Sequence, residues 1–382
     1  MPEKETRSPR PGARPCKTVL SSRWMGSESL IESIRARKLA DLRAAVSARP
    51  DEAGQPRAIL EAARVGWKDG IKLLLAAGAD PNASWRNYRP LHALIQEDPH
   101  REGSAPTRTR VHCLSFLLAQ GADPEQMGAW PSARALVIAA FQGEPLYVAE
   151  LRKSGARHDG FTAAALGDEE GVRTAVRSDA AFPSQRDGGL LTALQCCAGS
   201  RMGKNDPPTA SRLTAIAKLL LDRGADVNAQ TRSWDHDVDA IYFASASGQR
   251  DIFILLLERG ANADTALISA LWRGNMEFAS IALRKGADVD RAQDGDRPIL
   301  NQLVRWGQLK PAMWLLDRGA SPNMPDARGW TALHQAASRG NERILQALLK
   351  AGGDPSIKDA EGRRPIEIAR ATKKTKIVQL LH

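Results

Sequence analysis

The feature that most constrains this chain is a short phrase that returns along most of its length. The phrase has the form L-L-x-x-G-A-x-x-[ND], as in LLLDRGADVN at 219–228. Its commonest spacing is 33 residues, and its glycines are Gly78, Gly121, Gly155, Gly224, Gly260, Gly286, Gly319 and Gly352. A fixed period of this size indicates a repeat array, in which each unit buries its apolar face only against its neighbours.

Each part of the phrase has a conformational reason. The leucine run ends an amphipathic helix, and the glycine after it suits the left-handed position that closes a helix. The following Asp or Asn favours a tight turn. A second phrase, such as WTALHQAA at 330–337, then starts another helix, which a second glycine (Gly340 in this case) separates from the next leucine run. Each unit is therefore predicted to contain two helices and a turn.

This unit resembles the ankyrin repeat, and the resemblance covers about residues 27–382. Its most complete copy is GWTALHQAASRGNERILQALLKAGGDPS at 329–356. The resemblance implies an all-α repeat solenoid of helix-turn-helix units with β-hairpin fingers, and the phasing predicts about eleven units including atypical terminal caps. Residues 1–26 are basic and lack an apolar period, so we expect a disordered N-terminal tail.

Four units depart from the common length. Two carry polar inserts, at 98–110 and 199–211, which are either surface loops or contacts along that edge of the solenoid. Two other units are short by about one finger. We expect the resulting gaps in the row of fingers near 262–265 and near 178–186.

The motifs of common catalytic sites are absent from the sequence. It contains no P-loop, GxSxG, HExxH or paired CxxC pattern, and we expect neither an enzyme nor a bound cofactor or metal. The cluster Asp235, His236, Asp237 and Asp239 is interpreted as a solvated finger tip, with a metal site as the alternative. The adjacent Cys196–Cys197 pair is interpreted as core packing.

The resemblance also implies where a partner would bind, on the fingers and the concave face of the first helices. Residues just before the inter-helix glycine face that side in the family, and three consecutive units place arginine or tryptophan there. We call this set the Trp/Arg strip: Trp272, Arg273, Arg305, Trp306 and Arg339. Trp and Arg are the residues most enriched at binding hot spots. The alternative is that the tryptophans tuck under their own units as packing.

The fingers add four further tryptophans as candidate partner-binding residues: Trp85, Trp130, Trp234 and Trp330. Each precedes the first helix of a unit, in a segment predicted to be exposed. The alternative is that a finger tryptophan packs across the neighbouring finger. The histidines His92 and His334 begin first helices, and the resemblance gives them structural hydrogen bonds between repeats.

The charge distribution separates two classes of partner. The net charge is +10, but residues 1–25 and 356–382 each hold an excess of four positive charges, so the middle of the chain is nearly neutral. A nucleic-acid binder that used its whole surface would be basic along its length. The sequence therefore favours a non-enzymatic scaffold that binds a protein or peptide, including an inhibitor or immunity-type protein, over the alternative of nucleic-acid binding through the basic ends and the Trp/Arg strip.

Two further expectations concern location and assembly. No stretch approaches the roughly 18 apolar residues of a membrane span, so no membrane partner is predicted. The few cysteines and the lack of a targeting signal predict a cytoplasmic protein, with secretion as an effector through a non-cleaved signal as the alternative. A monomer is expected.

Overall fold

A computed structural model describes residues 25–96, 107–233, 236–290, 292–293 and 297–382. The chain divides into two compact units, residues 1–122 and 123–382. Both are built from helix pairs joined by short turns, and the described residues contain eleven such pairs. This confirms the all-α repeat solenoid as the fold class.

The described residues of the first unit form three helix pairs and one additional helical turn. Its helices are α1 (Met25–Arg35), α2 (Leu39–Ala48), α3 (Pro50–Ala53), α4 (Pro56–Arg64), α5 (Lys68–Ala76), α6 (Pro90–Gln96) and α7 (Thr107–Ala119). The first helices α1, α4 and α6 pack in that order, and the second helices α2, α5 and α7 pack beside them. Because α1 begins at Met25, the last two residues of the predicted tail belong to a helix, and the rest of that tail lies outside the described residues.

The second unit contains eight helix pairs. Its helices are α8 (Ala135–Gln142), α9 (Pro145–Lys153), α10 (Gly160–Leu166), α11 (Glu169–Ser178), α12 (Ala193–Gly199), α13 (Pro207–Asp222), α14 (Ala240–Ser247), α15 (Arg250–Glu258), α16 (Ala263–Trp272), α17 (Met276–Arg284), α18 (Ile299–Arg305), α19 (Leu309–Leu316), α20 (Ala332–Arg339), α21 (Glu342–Lys350), α22 (Pro365–Ala371) and α23 (Thr375–Leu380). Fingers contain two antiparallel strand pairs, β1 (Thr231–Ser233) with β2 (His236–Val238) and β3 (Ala292–Gln293) with β4 (Arg297–Pro298).

The two helices of a pair differ in burial, and this difference follows from their residues. The first helices are short, and several are rich in small residues; residues 135–141 of α8 are all buried. Small side chains allow a first helix to be covered by its neighbours within the unit, as α12 is by α10 and α14. The second helices bury one face only, as α21 does with Ile344, Leu345 and Leu348, which is the spacing of a half-exposed amphipathic helix.

The turn inside a pair depends on its glycine. Gly340 follows α20 with φ of 74° and ψ of 28°, and its N–H donates to the carbonyl oxygen of Ala336. A residue with a Cβ rarely adopts this left-handed conformation, so the glycine ends α20 and lets α21 start within two residues.

One of the two predicted gaps in the row of fingers lies where it was predicted, and the other does not. Helix α16 begins at Ala263, directly after the Gly260 turn, so no finger separates it from α15, as expected. The second gap lies between α9 and α10, at 156–159, and the prediction of 178–186 is wrong. Residues 178–186 instead hold a 3-10 helix (Phe182–Ser184) and the start of a finger closed by an Arg186–Thr192 bridge. The turn after α11 lacks the Gly-Ala pair that marked the other units. For this reason the missing finger was predicted one unit too late in the chain.

Both inserts lengthen a second helix. In the insert at 199–211, α13 begins at Pro207, which makes it the longest helix described, with 16 residues. In the insert at 98–110, α7 begins at Thr107, and residues 97–106 lie outside the described residues. The polar inserts are therefore partly helical. In the insert at 199–211, only the residues before Pro207 form a loop.

Candidate functional site

Two tryptophans of consecutive helix pairs meet at the surface of the second unit. Trp272 is the last residue of α16, and Trp306 follows the last residue of α18. Their ring centroids are 5.7 Å apart, and the ring planes are inclined by 56°. The two side chains are 44% and 43% exposed. Neither indole is therefore a core residue, and each covers part of the other.

The backbone explains why both rings reach the surface. Each tryptophan lies at the end of a first helix, close to a glycine that turns the chain towards the second helix, Gly274 in one case and Gly307 in the other. The paired indoles therefore lie where two consecutive first helices, α16 and α18, turn towards their second helices.

Arginines flank the indole pair on both sides. The guanidinium of Arg273 lies 5.4 Å from the ring centre of Tyr242 and donates a hydrogen bond of 3.1 Å to its hydroxyl. The guanidinium of Arg305 lies 5.8 Å from the ring centre of Trp306. These are cation–π distances. Together they join three consecutive first helices, α14, α16 and α18, into one aromatic and cationic surface.

The Trp/Arg strip continues into an open depression beside Trp306. Its volume is about 580 Å³, and it is lined by Arg305, Trp306, Gly307, Arg339, Gly340, Asn341, Glu342 and Arg343. Three arginines and a single glutamate lie in this lining. That glutamate, Glu342, already pairs with Lys376 at 3.5 Å. The depression therefore presents the exposed guanidinium groups of Arg339 and Arg343 to an anionic partner next to an exposed indole.

Two members of this surface were missed by the sequence analysis. Tyr242 lies in the first turn of α14, away from the position before the glycine, and no pattern marked it. Arg201 lies in the insert at 199–211, where it donates to the carbonyl oxygen of Ala246 at 2.9 Å. This bond holds the guanidinium of Arg201 at the end of α14, the helix that carries Tyr242, and burial together with the charge of Arg273 lowers the pKa of Arg201. The hypothesis of contacts along that edge had pointed to the insert, but not to this residue.

The finger tryptophan Trp330 has contacts of its own within the chain. Its indole N–H donates to the Asp359 carboxylate at 3.1 Å, and the guanidinium of Arg328 lies 4.4 Å from its ring centre. The ring also stacks on His334 with centroids 6.2 Å apart. Asp359 belongs to the next finger, so these contacts favour the alternative of packing across neighbouring fingers.

The structure does not bring Trp330 to the Trp/Arg strip. Trp330 precedes α20, whereas Arg339 ends it, and a helix of eight residues is about 12 Å long at 1.5 Å per residue. The two therefore lie at opposite ends of the same helix. Trp130 is half-buried in a turn closed by a bridge between Gly128 and Ala133. Trp234 lies outside the described residues.

Trp85 is the finger tryptophan with the clearest exposure. It belongs to the first unit, where its backbone pairs with that of Tyr88 in a short bridge. The side chain is 39% exposed. The guanidinium of Arg86 lies 4.5 Å from its ring centre and that of Arg57 lies 6.0 Å away. Trp85 is thus an exposed aromatic group with arginines on its faces.

The buried histidine has the role that the resemblance implied. His334 is buried, its Nδ1 accepts from the N–H of Thr331 at 3.2 Å, and its Nε2 lies 3.0 Å from the carbonyl oxygen of Arg363 in the next repeat. Burial lowers the pKa of His334, and the bond to Arg363 and two nearby aspartates only partly offset this. His92, at the same position of an earlier unit, is also buried.

The residues considered as a metal site and as a reactive cysteine pair have structural roles. Asp239 caps α14 by accepting from the N–H of Tyr242, and Asp237 pairs with Arg232 across the finger, while Asp235 lies outside the described residues. Burial raises the pKa of Cys196 and of Cys197, so neither thiol is poised as a nucleophile.

The described residues contain neither a metal-binding cluster nor a helix that could span a membrane. Among the described residues, no group of three or more His, Cys, Asp or Glu side chains is arranged to hold a metal ion. In the same part of the chain, every helix is too short or too polar to cross a lipid bilayer.

Comparison with known proteins adds family information. Residues 300–349 match the family model for ankyrin repeats in many copies, and residues 190–232 match the model for the ankyrin repeat. The rat cyclin-dependent kinase 4 inhibitor B is 35% identical over 125 residues, which is 32% of this chain and 95% of that protein.

Two further relatives are much longer than the region they share with this chain. An ankyrin repeat protein of Rickettsia bellii is 29% identical over 131 residues, which is 34% of this chain and 19% of that protein. The human BCL-6 corepressor-like protein 1 is 33% identical over 151 residues, which is 37% of this chain and 8% of that protein. The chain thus spans a fifth or less of these two relatives.

Proposed function

Because the chain belongs to the ankyrin repeat family, whose repeats generally mediate protein–protein interaction, we propose that it binds a partner protein through the Trp/Arg strip and acts without catalysing a reaction. The observation that carries this proposal is the exposed contact between Trp272 and Trp306.

The proposal is supported by the unfavourable free energy of leaving the apolar indole surface in contact with water. Two large aromatic side chains in contact form a continuous apolar patch, and patches of this kind rimmed by polar groups mark interaction sites. Trp and Arg carry a large share of the binding energy at protein interfaces because they combine a large contact area with directional polar groups. Trp272 and Trp306 provide the area, and Arg273, Arg305 and Arg339 provide the rim.

The same residues indicate the chemistry of the partner's surface. Cations next to exposed indoles suit a surface with carboxylates around an apolar or aromatic anchor, since guanidinium groups hold carboxylates through paired hydrogen bonds. The anchor would lie against the indole pair, and the carboxylates would face the depression lined by Arg305, Arg339 and Arg343. The binding should therefore weaken as salt is added, although less steeply than nucleic-acid binding through many phosphates.

The mode of action that we favour is occlusion of the partner, as in an inhibitor or immunity-type protein. A preformed repeat surface loses little conformational entropy on binding, so it can cover a partner tightly without moving parts. The rat relative, named as an inhibitor of a cyclin-dependent kinase, offers a precedent for inhibition by a protein of this family. A cytoplasmic location and a monomeric state remain predictions.

The test is affinity capture from an extract of the cells that produce the protein, with and without nuclease, read by mass spectrometry. The baits are the full chain and its W272A/W306A variant. The matched control is L146A/M313A, which removes two similarly exposed apolar side chains from the second helices α9 and α19.

A protein that survives nuclease, binds the chain and the control equally, and is lost from W272A/W306A supports the proposal. It is then titrated against the purified chain, and at least a tenfold loss of affinity is expected in the variant. Equal capture by W272A/W306A contradicts the role of the strip. Loss of all captured material after nuclease would instead support nucleic-acid binding through the basic residues.

A further inference from the structure

The cationic part of the Trp/Arg strip continues past the depression beside Trp306 onto the last helix pair. The inter-helix turns of the last two pairs lie side by side, since α20 packs against α22 and α21 packs against α23. Residues 338–343 and 370–376, which form these turns and their borders, contain six basic residues and one acidic residue, Glu342. We call the basic residues the turn cations: Arg339, Arg343, Arg370, Lys373, Lys374 and Lys376.

The positive charge at these turns is not balanced by neighbouring acids. Both turns belong to the stretch 297–382, every residue of which the structure describes. Glu342 pairs with Lys376 at 3.5 Å, and Arg370 donates to Nε2 of His382 at 3.2 Å. The other four turn cations form no ion pair with any described residue: Arg339, Arg343, Lys373 and Lys374. Lys374 is half-buried, and the other three are exposed.

The side chain of Lys374 connects the two turns. A Cβ on Gly340 would lie 2.8 Å from Cδ and 3.2 Å from Cε of Lys374. The aliphatic part of this lysine therefore lies over the Gly340 turn, and Gly340 belongs to the lining of the depression beside Trp306. The last helix pair thus adds its charge to the edge of that depression.

Lys373 adds an exposed cation at a backbone position that favours glycine. Its φ is 56°, and the equivalent residue of the preceding pair is Gly340, with φ of 74°. The left-handed conformation is unfavourable for a residue with a Cβ. A lysine in this conformation is a backbone outlier of the kind from which a function can be inferred.

The distance from the indole pair to the turn cations limits which ligand can contact both. Trp306, Arg339 and Lys373 lie at or just after the ends of three consecutive first helices, α18, α20 and α22. Packed helices lie roughly 8–10 Å apart, so the turn cations lie about 8–20 Å from Trp306. An extended chain advances about 3.3 Å per residue, and about three to six residues therefore span this distance.

We propose that the partner binds as an extended segment, with an apolar or aromatic side chain against Trp272 and Trp306 and a run of acidic side chains over the turn cations. The anchor and the acidic run are separated by about three to six residues. This inference rests on the proposed function, since it concerns the same strip, and it adds the chemistry and spacing of the partner's segment. A run of carboxylates suits these cations better than one anion does, because Arg339 and Lys373 belong to different helix pairs.

The test is a selection of random sixteen-residue peptides displayed on phage, with the full chain as the target. A parallel selection uses R339A/R343A/K374A, which removes three turn cations that have no ion pair among the described residues. Another uses W272A/W306A, which removes the surface for the anchor. Circular dichroism of each variant establishes that its helices are retained.

The matched control for the turn cations is K218A/R284A/K350A. It removes three exposed basic side chains from the second helices α13, α17 and α21. Its net charge equals that of R339A/R343A/K374A. Any difference between the two variants therefore reports the position of the cations and not the overall charge.

We expect the full chain and the control to enrich peptides in which a large apolar residue stands about three to six residues from at least three Asp or Glu residues. A labelled synthetic copy of one such peptide should bind R339A/R343A/K374A and W272A/W306A at least tenfold more weakly than the full chain. Deleting the residues between the anchor and the acidic run should cause a similar loss. Added salt should weaken binding to the full chain.

Equal binding of the peptide to the full chain and to R339A/R343A/K374A would overturn the inference, as would binding that does not depend on the spacing. So would a selection that enriches no peptide with an acidic run. Peptides that depend on Trp272 and Trp306 but not on the turn cations would overturn this inference and leave the function proposed for the strip in place. A single-stranded oligonucleotide that binds more tightly than the peptide, and is lost from R339A/R343A/K374A, would assign the turn cations to nucleic acid instead.

Discussion

Trp272 and Trp306 touch each other across two consecutive helix pairs, yet both rings remain exposed to solvent on their outer faces. The contact connects neighbouring repeats without contributing to the core. Such a pair is pre-positioned, because each ring restricts the rotamers of the other before any partner arrives. Exposed tryptophans bordered by arginines should respond to substitution differently from the residues that hold the fold.

The first prediction concerns the stability of variants at the indole pair. W272A and W306A should each retain the helical circular dichroism spectrum and lose less than about 1.5 kcal/mol of the free energy of unfolding, since aromatic pair contacts contribute about 0.5–1.5 kcal/mol. A double-mutant cycle by urea denaturation measures the coupling. The control F253A removes a fully buried ring and should cost about 3–5 kcal/mol. Unfolding of either tryptophan variant would assign that ring to the core.

The second prediction concerns the ion pair between Arg134 and Asp159. Arg134 is almost fully buried and donates to both carboxylate oxygens of Asp159, at 2.8 and 2.7 Å. R134A leaves the partly buried Asp159 carboxylate with only the exposed Arg157, 3.9 Å away, as a counter-charge, and should cost about 3 kcal/mol in urea denaturation. The matched control R177A breaks a solvent-exposed pair with Glu170 and should change stability by about 0.5 kcal/mol or less. Equal effects of the two substitutions would contradict this assignment.

The third prediction concerns a glycine that lies against another repeat. A Cβ on Gly189 would be 1.9 Å from the carbonyl oxygen of Ser132, a backbone atom that cannot rotate away. G189A must therefore displace one of the two fingers, and overpacking of this kind costs about 1–3 kcal/mol or more. G54A is the control, because its Cβ would meet nothing closer than 3.9 Å and Gly54 is already in the helical region. A melting temperature of G189A equal to that of the parent would disprove the close approach.

The fourth prediction concerns the pH dependence that His334 confers. Burial holds the pKa of His334 below its ordinary value of 6.5. A group with a lowered pKa contributes stability that is fully present above pH 6.5 and is lost as the pH falls through the folded-state value. The parent should therefore lose melting temperature between pH 7 and pH 5 more steeply than H334Q. Parallel profiles of the two proteins would show that His334 does not carry this dependence.

Several parts of the fold were predictable from the sequence because they depend on local chemistry. The glycine phrases located the turns, since Gly248 and Gly340 occupy the left-handed positions where a Cβ is disfavoured. The leucine runs located the second helices. The missing finger lies at 156–159, where Asp159 caps α10 directly, and the prediction placed it at 178–186. The error arose because the turn after α11 carries no glycine signal.

The sequence by itself determined the repeat and the number of helix pairs, because a regular period repeats the same local environment in each unit. Only the tertiary structure decided whether the tryptophans beside the inter-helix glycines are exposed and which of those side chains meet. Distances between repeats decide the contact of Trp272 with Trp306, the position of Arg201 next to α14 and the hydrogen bond between Trp330 and Asp359. Those distances vary with the packing of each junction, and no local sequence pattern encodes them.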